Sequence, residues 1–385
     1  MKRNLLLLIP ILALLLSGCR SIVLGSKVSQ FEPVYPAKSV DISNPFLLNY
    51  DLDTSMVFDW VFDLNSSMST SIPYISDDFL VTPTRYGKIY AVDLKKGKQL
   101  GSQNIDGGVD KAFYFEDEMI YTGTSDKDFG TLSAINVKSG EIHWTYETGS
   151  IESELLATEN RIYFGTYTGE INSLSKANGT SVWSVKLEKN HRLLSNFLDY
   201  KNSISFVDDK GFLYSLSKED GKILKKTKIA SNFDGKISPY HGFIYLADRD
   251  GNVMKIDENT FEKIWEIKSQ FGKIEGGITF ENDCFFAVTV RSSLVKISLG
   301  NGKIETVMNL EESSSVNPVV TPHQFILSLN NSKMIIIDRS EMKIMKTYDF
   351  DGRVKSPLYL VSSGEGYVYV EDKLLVKMKT PEANQ

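Results

Sequence analysis

The chain has 385 residues, of which 42% are hydrophobic and 24% charged, and its formal net charge is −6 at pH 7. A mildly acidic chain without a cluster of lysine and arginine is a poor nucleic-acid binder, which excludes that class of function. Its two cysteines, Cys19 and Cys284, are too few for a disulfide-stapled fold, so a large apolar core must stabilise the protein.

The first 18 residues have the features of a lipoprotein signal peptide. Two basic residues precede an apolar run (5–16) that is too short to span a bilayer, which needs about 20 residues. The stretch LSGC (16–19) resembles the bacterial lipobox, so we predict acylation of Cys19. The alternative is an ordinary signal peptide followed by a chance cysteine. Arg20, in place of an inner-membrane retention Asp, favours the outer membrane.

Residues 19–55 are predicted to form a lipid-anchored tether. The segment contains three prolines and several serines and shows no sustained hydrophobic period, as is typical of a linker. A short stretch of it packed on the folded domain is the alternative. Such a tether would hold the folded domain clear of the membrane surface.

From residue 56 onward the sequence repeats about every 40 residues. GTLSAINVKSGEIHW (130–144) and GEINSLSKANGTSVW (169–183) place two glycines and a tryptophan at the same spacing. Steps of 39 to 43 residues define one recurrent position, named here the tryptophan column. It contains all four tryptophans of the protein, and its members are Trp60, Gly101, Trp144, Trp183, Lys225, Trp265, Thr306 and Lys346.

Each repeat is predicted to form four short strands. Runs rich in Ile, Val, Tyr and Phe, such as KIYAVDL (88–94) and NVMKID (252–257), alternate with turns containing Gly, Asp, Asn and Ser. The glycines supply the positive φ that tight hairpin turns require. A large flat side chain in the tryptophan column would fill the space between neighbouring sheets. Units that bury their faces only against neighbours indicate an all-β propeller.

The two ends of the repeat region complete each other. Residues 354–379 supply three strands, whereas residues 56–64 supply a fourth-type strand with no strands before it. An open solenoid would need caps rather than matching halves, and ring closure removes the sheet edges. We therefore predict an eight-bladed β-propeller of four-stranded antiparallel blades over residues 56–380, its last blade closed by the N-terminal strand. Residues 381–385 are assigned to a C-terminal tail.

The repeat pattern G-x-x-x-A/S-ϕ-D/N/S-x-x-x-G-x-x-x-W resembles that of PQQ-like (quinoprotein-type) propellers. With the lipobox, the single predicted eight-bladed domain and a length near 380 residues, the chain resembles the BamB family of outer-membrane β-barrel assembly lipoproteins. This resemblance implies a non-catalytic periplasmic scaffold on the outer membrane. It also implies docking on the central barrel subunit and delivery of unfolded outer-membrane proteins to it. Exposure on the cell surface is the alternative location.

The resemblance also implies which residues contact that partner. In the family, inter-blade loops make the contact, and the matching loops here are EKNHRLLSN (188–196) and SNFDGKISP (231–239). Lys236 stands where a second acidic residue is expected. The residues carried over from the family are His191, Arg192, Leu193, Leu194 and Asp234. The alternative is that Leu193 and Leu194 simply begin the inner strand of the next blade.

No catalytic, cofactor or metal site is predicted from the sequence. Neither G-x-S-x-G nor G-x-x-x-x-G-K-[ST] occurs, and the four histidines lack metal-ligand spacing. DRDGN (248–252) is assigned to a hairpin turn rather than a calcium loop, because the run of ligands stops. Cys284 has apolar neighbours and is expected to be a buried structural thiol, not a nucleophile.

A second hypothesis for function follows from the same fold. The chain could be a propeller lipoprotein that binds a small molecule or a carbohydrate, or an enzyme of the PQQ-like superfamily. A quinone-dependent dehydrogenase is disfavoured, because the enzymes that share this repeat are usually longer and many carry adjacent cysteines near the cofactor. This chain has no such cysteine pair.

Overall fold

The computed structural model describes residues 31, 33–35, 44–371 and 373–381. Within these ranges, 32 strands form eight four-stranded antiparallel sheets, which confirms the predicted all-β, eight-bladed propeller. No helix in the described part of the chain is long and apolar enough to cross a bilayer. The predicted signal peptide, Cys19 and residues 382–385 of the tail lie outside the described residues.

The eighth blade is assembled from both ends of the chain. It consists of β1 (Val57–Asp63), β30 (Tyr359–Ser362), β31 (Glu365–Val370) and β32 (Leu374–Lys379). Antiparallel pairing of β1 with β32 runs from Val57 opposite Lys379 to Asp63 opposite Leu374. This is the closure predicted for residues 56–64.

The other seven blades each take four consecutive strands, from the first strand at the axis to an outermost fourth strand with a solvent-exposed face. Blades one to three contain β2 (Tyr74–Ile75), β3 (Phe79–Pro83), β4 (Lys88–Asp93), β5 (Lys98–Asn104), β6 (Phe113–Glu116), β7 (Met119–Gly123), β8 (Gly130–Asn136), β9 (Ile142–Thr148), β10 (Leu156–Ala157), β11 (Arg161–Gly165), β12 (Glu170–Ser175) and β13 (Ser181–Lys186). Blades four to seven contain β14 (Leu198–Asp199), β15 (Ser203–Val207), β16 (Phe212–Ser217), β17 (Ile223–Lys228), β18 (Ser238–Tyr240), β19 (Phe243–Ala247), β20 (Asn252–Asp257), β21 (Lys263–Lys268), β22 (Thr279–Glu281), β23 (Cys284–Thr289), β24 (Ser293–Ser298), β25 (Ile304–Asn309), β26 (Val319–Val320), β27 (Gln324–Ser328), β28 (Lys333–Asp338) and β29 (Lys343–Asp349).

The propeller has two faces of different construction. On the inter-blade face, a loop leads from the outermost strand of one blade to the first strand of the next. The opposite face carries the short turns between the first and second strands and between the third and fourth strands. The eight inter-blade loops are residues 64–73, 105–112, 149–155, 187–197, 229–237, 269–278, 310–318 and 350–358.

Each tryptophan of the column packs against a turn of the next blade. Its indole Nε1 donates a hydrogen bond of 2.9–3.2 Å to a carbonyl at the turn between that blade's third and fourth strands. The ring also covers a turn glycine so closely that a Cβ atom would come within 2.5–3.0 Å of it. The four pairs are Trp60 with Gly97, Trp144 with Gly179, Trp183 with Gly221 and Trp265 with Gly302. The tryptophans therefore fill the space between blades, as predicted, by packing a ring onto a turn whose contact residue has no side chain. This contact is called the interlock below.

Between blades four and five, the aromatic ring lies on the turn instead of in the tryptophan column. Lys225 occupies the tryptophan column, and Phe261 replaces the turn glycine of the next blade while keeping a positive φ of 59°. The Lys225 ammonium lies 5.0 Å from the centre of the Phe261 ring and donates to the carbonyls of Asn259, at 3.0 Å, and Thr260. The aromatic ring has moved to the turn, and a cation–π contact takes the place of the indole interlock.

The chain before β1 packs against the first strands of the sixth and seventh blades. The Asn44 side chain exchanges two hydrogen bonds with the Phe280 backbone, at 2.9 and 3.1 Å. Leu47 forms a parallel bridge to Val320 on the first strand of blade seven. Phe46, 7% exposed, joins the core cluster that links the seventh, eighth and first blades. Residues 44–55, assigned from sequence to the tether, are thus continuous with the core.

Cys284 is buried in the apolar contact between the sixth and seventh blades. It is 3% exposed and belongs to the same cluster as Phe286 and Phe325. Its Sγ lies 3.2 Å from the carbonyl oxygen of Glu281. Burial raises the pKa of the thiol to about 11. These features agree with the expected structural thiol.

The interlock can be tested with two glycines that share a positive φ but differ in their surroundings. A Cβ at Gly221 would lie 2.7 Å from the Trp183 ring, whereas a Cβ at Gly242 would meet nothing within 4 Å. Gly242→Ala should cost about 1–2 kcal/mol of backbone strain. Gly221→Ala should cost about 1–3 kcal/mol more, because overpacking is added. Urea unfolding measures both, and equal losses would contradict the interlock.

The burial of Cys284 predicts its reactivity. In a Cys19→Ser variant, Cys284 is the remaining thiol, and at pH 8 only about one in a thousand molecules should carry the reactive thiolate. We expect labelling by Ellman's reagent to be negligible in the native protein. In guanidinium chloride, where the thiol is hydrated and its pKa returns to the ordinary range, labelling should be complete. Fast stoichiometric labelling of the native protein would show that this part of the core is open.

Candidate functional site: an axial funnel and its surrounding loops

A funnel of about 480 Å³ lies on the propeller axis at the inter-blade face. All eight inter-blade loops line it, each through the residue ten or eleven positions after the tryptophan column. These residues are Thr70, Lys111, Glu154, Leu194, Lys236, Glu275, Val316 and Ser356. Phe46 from the N-terminal segment and Tyr359 lie among the apolar lining.

The loops are tightly fitted where blades six and seven meet. A Cβ at Gly276 would lie 2.2 Å from the carbonyl oxygen of Val316, so the two loop backbones touch. Deeper in the funnel, the Tyr359 ring packs edge-on against Tyr35 at 5.2 Å. Burial raises the pKa of the Tyr359 hydroxyl, which therefore stays protonated. The lining is a packed wall set by loop contacts.

Some charged side chains of the funnel form ion pairs, and others do not. Glu154 and Lys236 form an ion pair of 2.6 Å that bridges two loops. Asp234 accepts from Arg249 at 2.7 Å and lies 3.5 Å from Lys273. By contrast, no carboxylate among the described residues lies within 4.0 Å of the ammonium groups of Lys111 and Lys355, both of which are partly buried.

The partner-binding residues predicted from the resemblance all lie on the inter-blade face, but in different settings. Leu194 and Asp234 line the funnel. Arg192 and His191 lie in the same loop as Leu194, outside the funnel lining. Leu193 is fully buried and bridges Asp208 in the next blade. Neither leucine belongs to a first strand, since β14 begins at Leu198.

Arg192 is held in place by its neighbours. Its guanidinium lies 4.8 Å from the centre of the Tyr167 ring, and its backbone N–H donates to Asp209 at 2.8 Å. Burial opposes ionisation of Asp209, but hydrogen bonds from Arg192 and Lys210 outweigh it and lower the pKa of that carboxyl. A carboxylate anchored in this way fixes the loop that presents Arg192 to solvent.

His191 forms a mostly buried pair with Asp208. Its Nδ1 lies 2.6 Å from Oδ2 of Asp208, whose other oxygen accepts from the backbone N–H groups of Lys210 and Phe212. The ring also packs against Phe212 at 5.5 Å. These contacts tie the loop to the fourth blade. The His191 side chain thus stabilises the loop instead of projecting from it into solvent.

The stretch DRDGN forms a hairpin turn, as expected. Oδ1 of Asp248 accepts hydrogen bonds from the backbone N–H groups of Asp250 and Asn252, at 3.0 and 2.8 Å. Within the described ranges, no group of three or more His, Cys, Asp or Glu side chains is placed to hold a metal ion.

Sequence reasoning missed a set of exposed aromatic residues on the inter-blade face. Tyr86 and Phe129 are each 78% exposed, and Tyr167 is 46% exposed. They occupy the turns between the second and third strands of three consecutive blades. The signal was present, because these aromatic residues stand just before Gly87, Gly130 and the Thr168-Gly169 pair, where later repeats have polar residues.

Comparisons with known proteins agree with the geometry. The sequence profile of the family described as "Outer membrane protein assembly factor BamB" matches residues 58–265, just over half of the chain. No curated protein sequence gives a significant match.

Solved structures share the fold at low sequence identity. BamB from Moraxella catarrhalis has a TM-score of 0.66 and 14% identity over 84% of this chain and 99% of that one. The computationally designed Ika8 protein has a TM-score of 0.66 and 14% identity over 83% and 98% of the two chains. The quinohemoprotein alcohol dehydrogenase ADHIIG from Pseudomonas putida HK5 has a TM-score of 0.70 and 9% identity over 92% and 81%.

At these identities the solved structures show the fold alone, and they include both an assembly factor and a dehydrogenase. The family assignment rests on the profile match, which covers the repeats from blade eight's N-terminal strand to the fourth strand of blade five. The chain belongs to the BamB family of PQQ-like β-propellers.

Proposed function

We propose that this protein is a non-catalytic scaffold that assists the assembly of outer-membrane β-barrel proteins by docking on the central barrel subunit. The observation that carries the proposal is membership of the BamB family over residues 58–265. The unfolded outer-membrane proteins handled by that subunit are the proposed clients.

The inter-blade face is suited to such docking. Arg192 projects from a loop fixed by Asp209 and Tyr167, and Leu194 lies at the funnel wall beside it. Asp234 lies in the next inter-blade loop, and its carboxylate already forms ion pairs with Arg249 and Lys273. A rigid basic and apolar site binds without the entropic cost of ordering a loop. We therefore assign the contact chiefly to Arg192 and Leu194, with Asp234 orienting the adjacent loop.

We further propose that the protein is a lipoprotein of the outer membrane facing the periplasm. Residues 1–18 supply the signal peptide and Cys19 the acylated residue. Two or more acyl chains give stable anchoring, since each buried methylene contributes about 0.8 kcal/mol. The Arg at position 20 supports sorting to the outer membrane.

Ligand binding is a second candidate function, favoured by one observation. The funnel of about 480 Å³ falls within the size range of small-molecule sites, about 300–1,000 Å³. A ligand there would use the same face as the proposed docking loops.

Photo-crosslinking in cells tests the docking proposal. A photoreactive amino acid at position 192 or 194 should capture the central barrel-assembly subunit, identified by mass spectrometry. The control position is Lys222, whose side chain is 81% exposed on the opposite face. We expect no adduct there. Equal capture from both faces, or adducts at 192 and 194 that lack a barrel subunit, would contradict the proposal.

Fractionation tests the anchor. The Cys19→Ser variant should be recovered in the soluble periplasmic fraction, because it has no acyl chains to bury in the membrane. The unaltered protein should remain with outer-membrane vesicles after a salt wash, which removes peripheral proteins held by charge. Retention of Cys19→Ser in washed membranes would show that lipid is not the anchor.

A further inference from the structure

We propose that the central funnel binds an amphiphilic carboxylate, that is, a carboxylate joined to an apolar group. Lys111 and Lys355 hold the carboxylate, and the apolar group lies beside Phe46 and Tyr359. This inference goes beyond docking on a barrel subunit and does not depend on it.

The first argument is the charge of the wall. A partly buried ammonium loses part of its hydration, and this loss is compensated by a nearby anion or by hydrogen-bond acceptors. The Lys111 Nζ donates to the carbonyl oxygen of Leu194 at 3.2 Å, a neutral acceptor that leaves its charge uncompensated. In the part of the chain that the structure describes, Lys355 has no ion-pair partner. Two uncompensated cations in one cavity favour an anionic ligand.

The second argument is that two of the three acidic side chains in the funnel lining already have cationic partners. Glu154 is paired with Lys236, and Asp234 with Arg249. Glu275 also lines the funnel, and its side chain is exposed. An anion can therefore approach the two lysines, whereas a cation would find only Glu275 free. The electrostatics of the funnel select a negatively charged group.

The third argument is the apolar part of the lining. Phe46 lies in the lining, and the backbone of residues 46–48 is hydrogen-bonded to Val320 at 2.8 and 2.9 Å, which fixes this segment in place. Phe46 and Tyr359 give an apolar surface to the cavity that holds the two lysines, so the ligand carries an apolar group next to its carboxylate.

Two natural sources offer this chemistry. One is the carboxyl end of a polypeptide whose last residue is apolar, and the other is a free fatty acid. Lysine ammonium groups donate charge-assisted hydrogen bonds to both. The volume of about 480 Å³ accommodates the last residues of a peptide or a medium-length acyl chain.

Fluorescence anisotropy on the full mature chain, kept soluble by Cys19→Ser, tests the inference. The probe is the tripeptide Gly-Leu-Phe labelled with dansyl at its amino end, with either a free carboxylate or a carboxyl-terminal amide. The free acid should bind at least about tenfold more tightly than the amide, as expected for loss of one charged hydrogen bond. Lys111→Met and Lys355→Met should each weaken binding of the acid about tenfold and leave the amide unaffected.

Two controls make the result specific. Lys355→Arg keeps the charge and should retain binding of the acid. Lys201→Met removes an exposed lysine from the opposite face and should change nothing. Thermal unfolding of each variant confirms that the fold is intact. Unchanged binding in both funnel lysine variants, or an equal loss in Lys201→Met, would overturn the assignment.

Competition identifies the source of the carboxylate. Displacement of the peptide acid by dodecanoate at equal concentration assigns a fatty-acid ligand, and resistance to dodecanoate assigns a peptide terminus. Both outcomes support the amphiphilic-carboxylate site. Equal binding of acid and amide, full displacement by equimolar inorganic phosphate, or no binding of either peptide at millimolar concentration would overturn it. Crosslinking from position 192 is unaffected by all of these results, so the two proposals fail independently.

Discussion

The contact between one blade's outermost strand and the next blade's turn determines the architecture. A four-stranded sheet leaves a face uncovered, and an indole ring placed on a side-chain-free turn covers it while its N–H group binds the turn carbonyl. The contact is directional, because the ring comes from the fourth strand of one blade and the turn from the next blade. A directional contact of this kind closes a ring when the last blade meets the first, and here Trp60 on the N-terminal strand clasps the Gly97 turn of blade one.

The fold could be predicted from the sequence because this contact is repeated. Tryptophan and glycine recur at fixed spacing, and the unmatched ends of the repeat reveal the composite blade. The exchange of partners between Lys225 and Phe261 could not be predicted, because it is visible only when the two positions are seen in contact. For residues 44–55 the sequence left a tether and a packed stretch as alternatives, without deciding between them. That segment has no repeat, and its two side-chain amide pairings, through Asn44 and Gln324, join residues more than 230 positions apart.

The funnel was less predictable for a related reason. The repeat fixes where each inter-blade loop meets the axis, ten or eleven residues after the column, but six different residue types occupy that place in the eight blades. Packing does not demand a particular side chain there, so no pattern marks Lys111 or Lys355 as members of one site. The predicted loop residues illustrate the same limit. Arg192 and Leu193 are adjacent in sequence, yet one is presented to solvent and the other is fully buried.

The N-terminal segment and the proposed binding sites lie mainly on different faces of the propeller. Residues 31, 33–35 and 44–52 lie near the opposite face, where Phe31 packs between Phe79 and Phe115 and Asp51 binds His323 at 2.7 Å. The funnel and the exposed aromatic residues are on the inter-blade face. An anchor attached ahead of residue 31 would therefore leave the funnel mouth and the docking loops unobstructed. Because the same segment supplies Phe46 to the funnel lining, its packing also shapes the apolar part of the site.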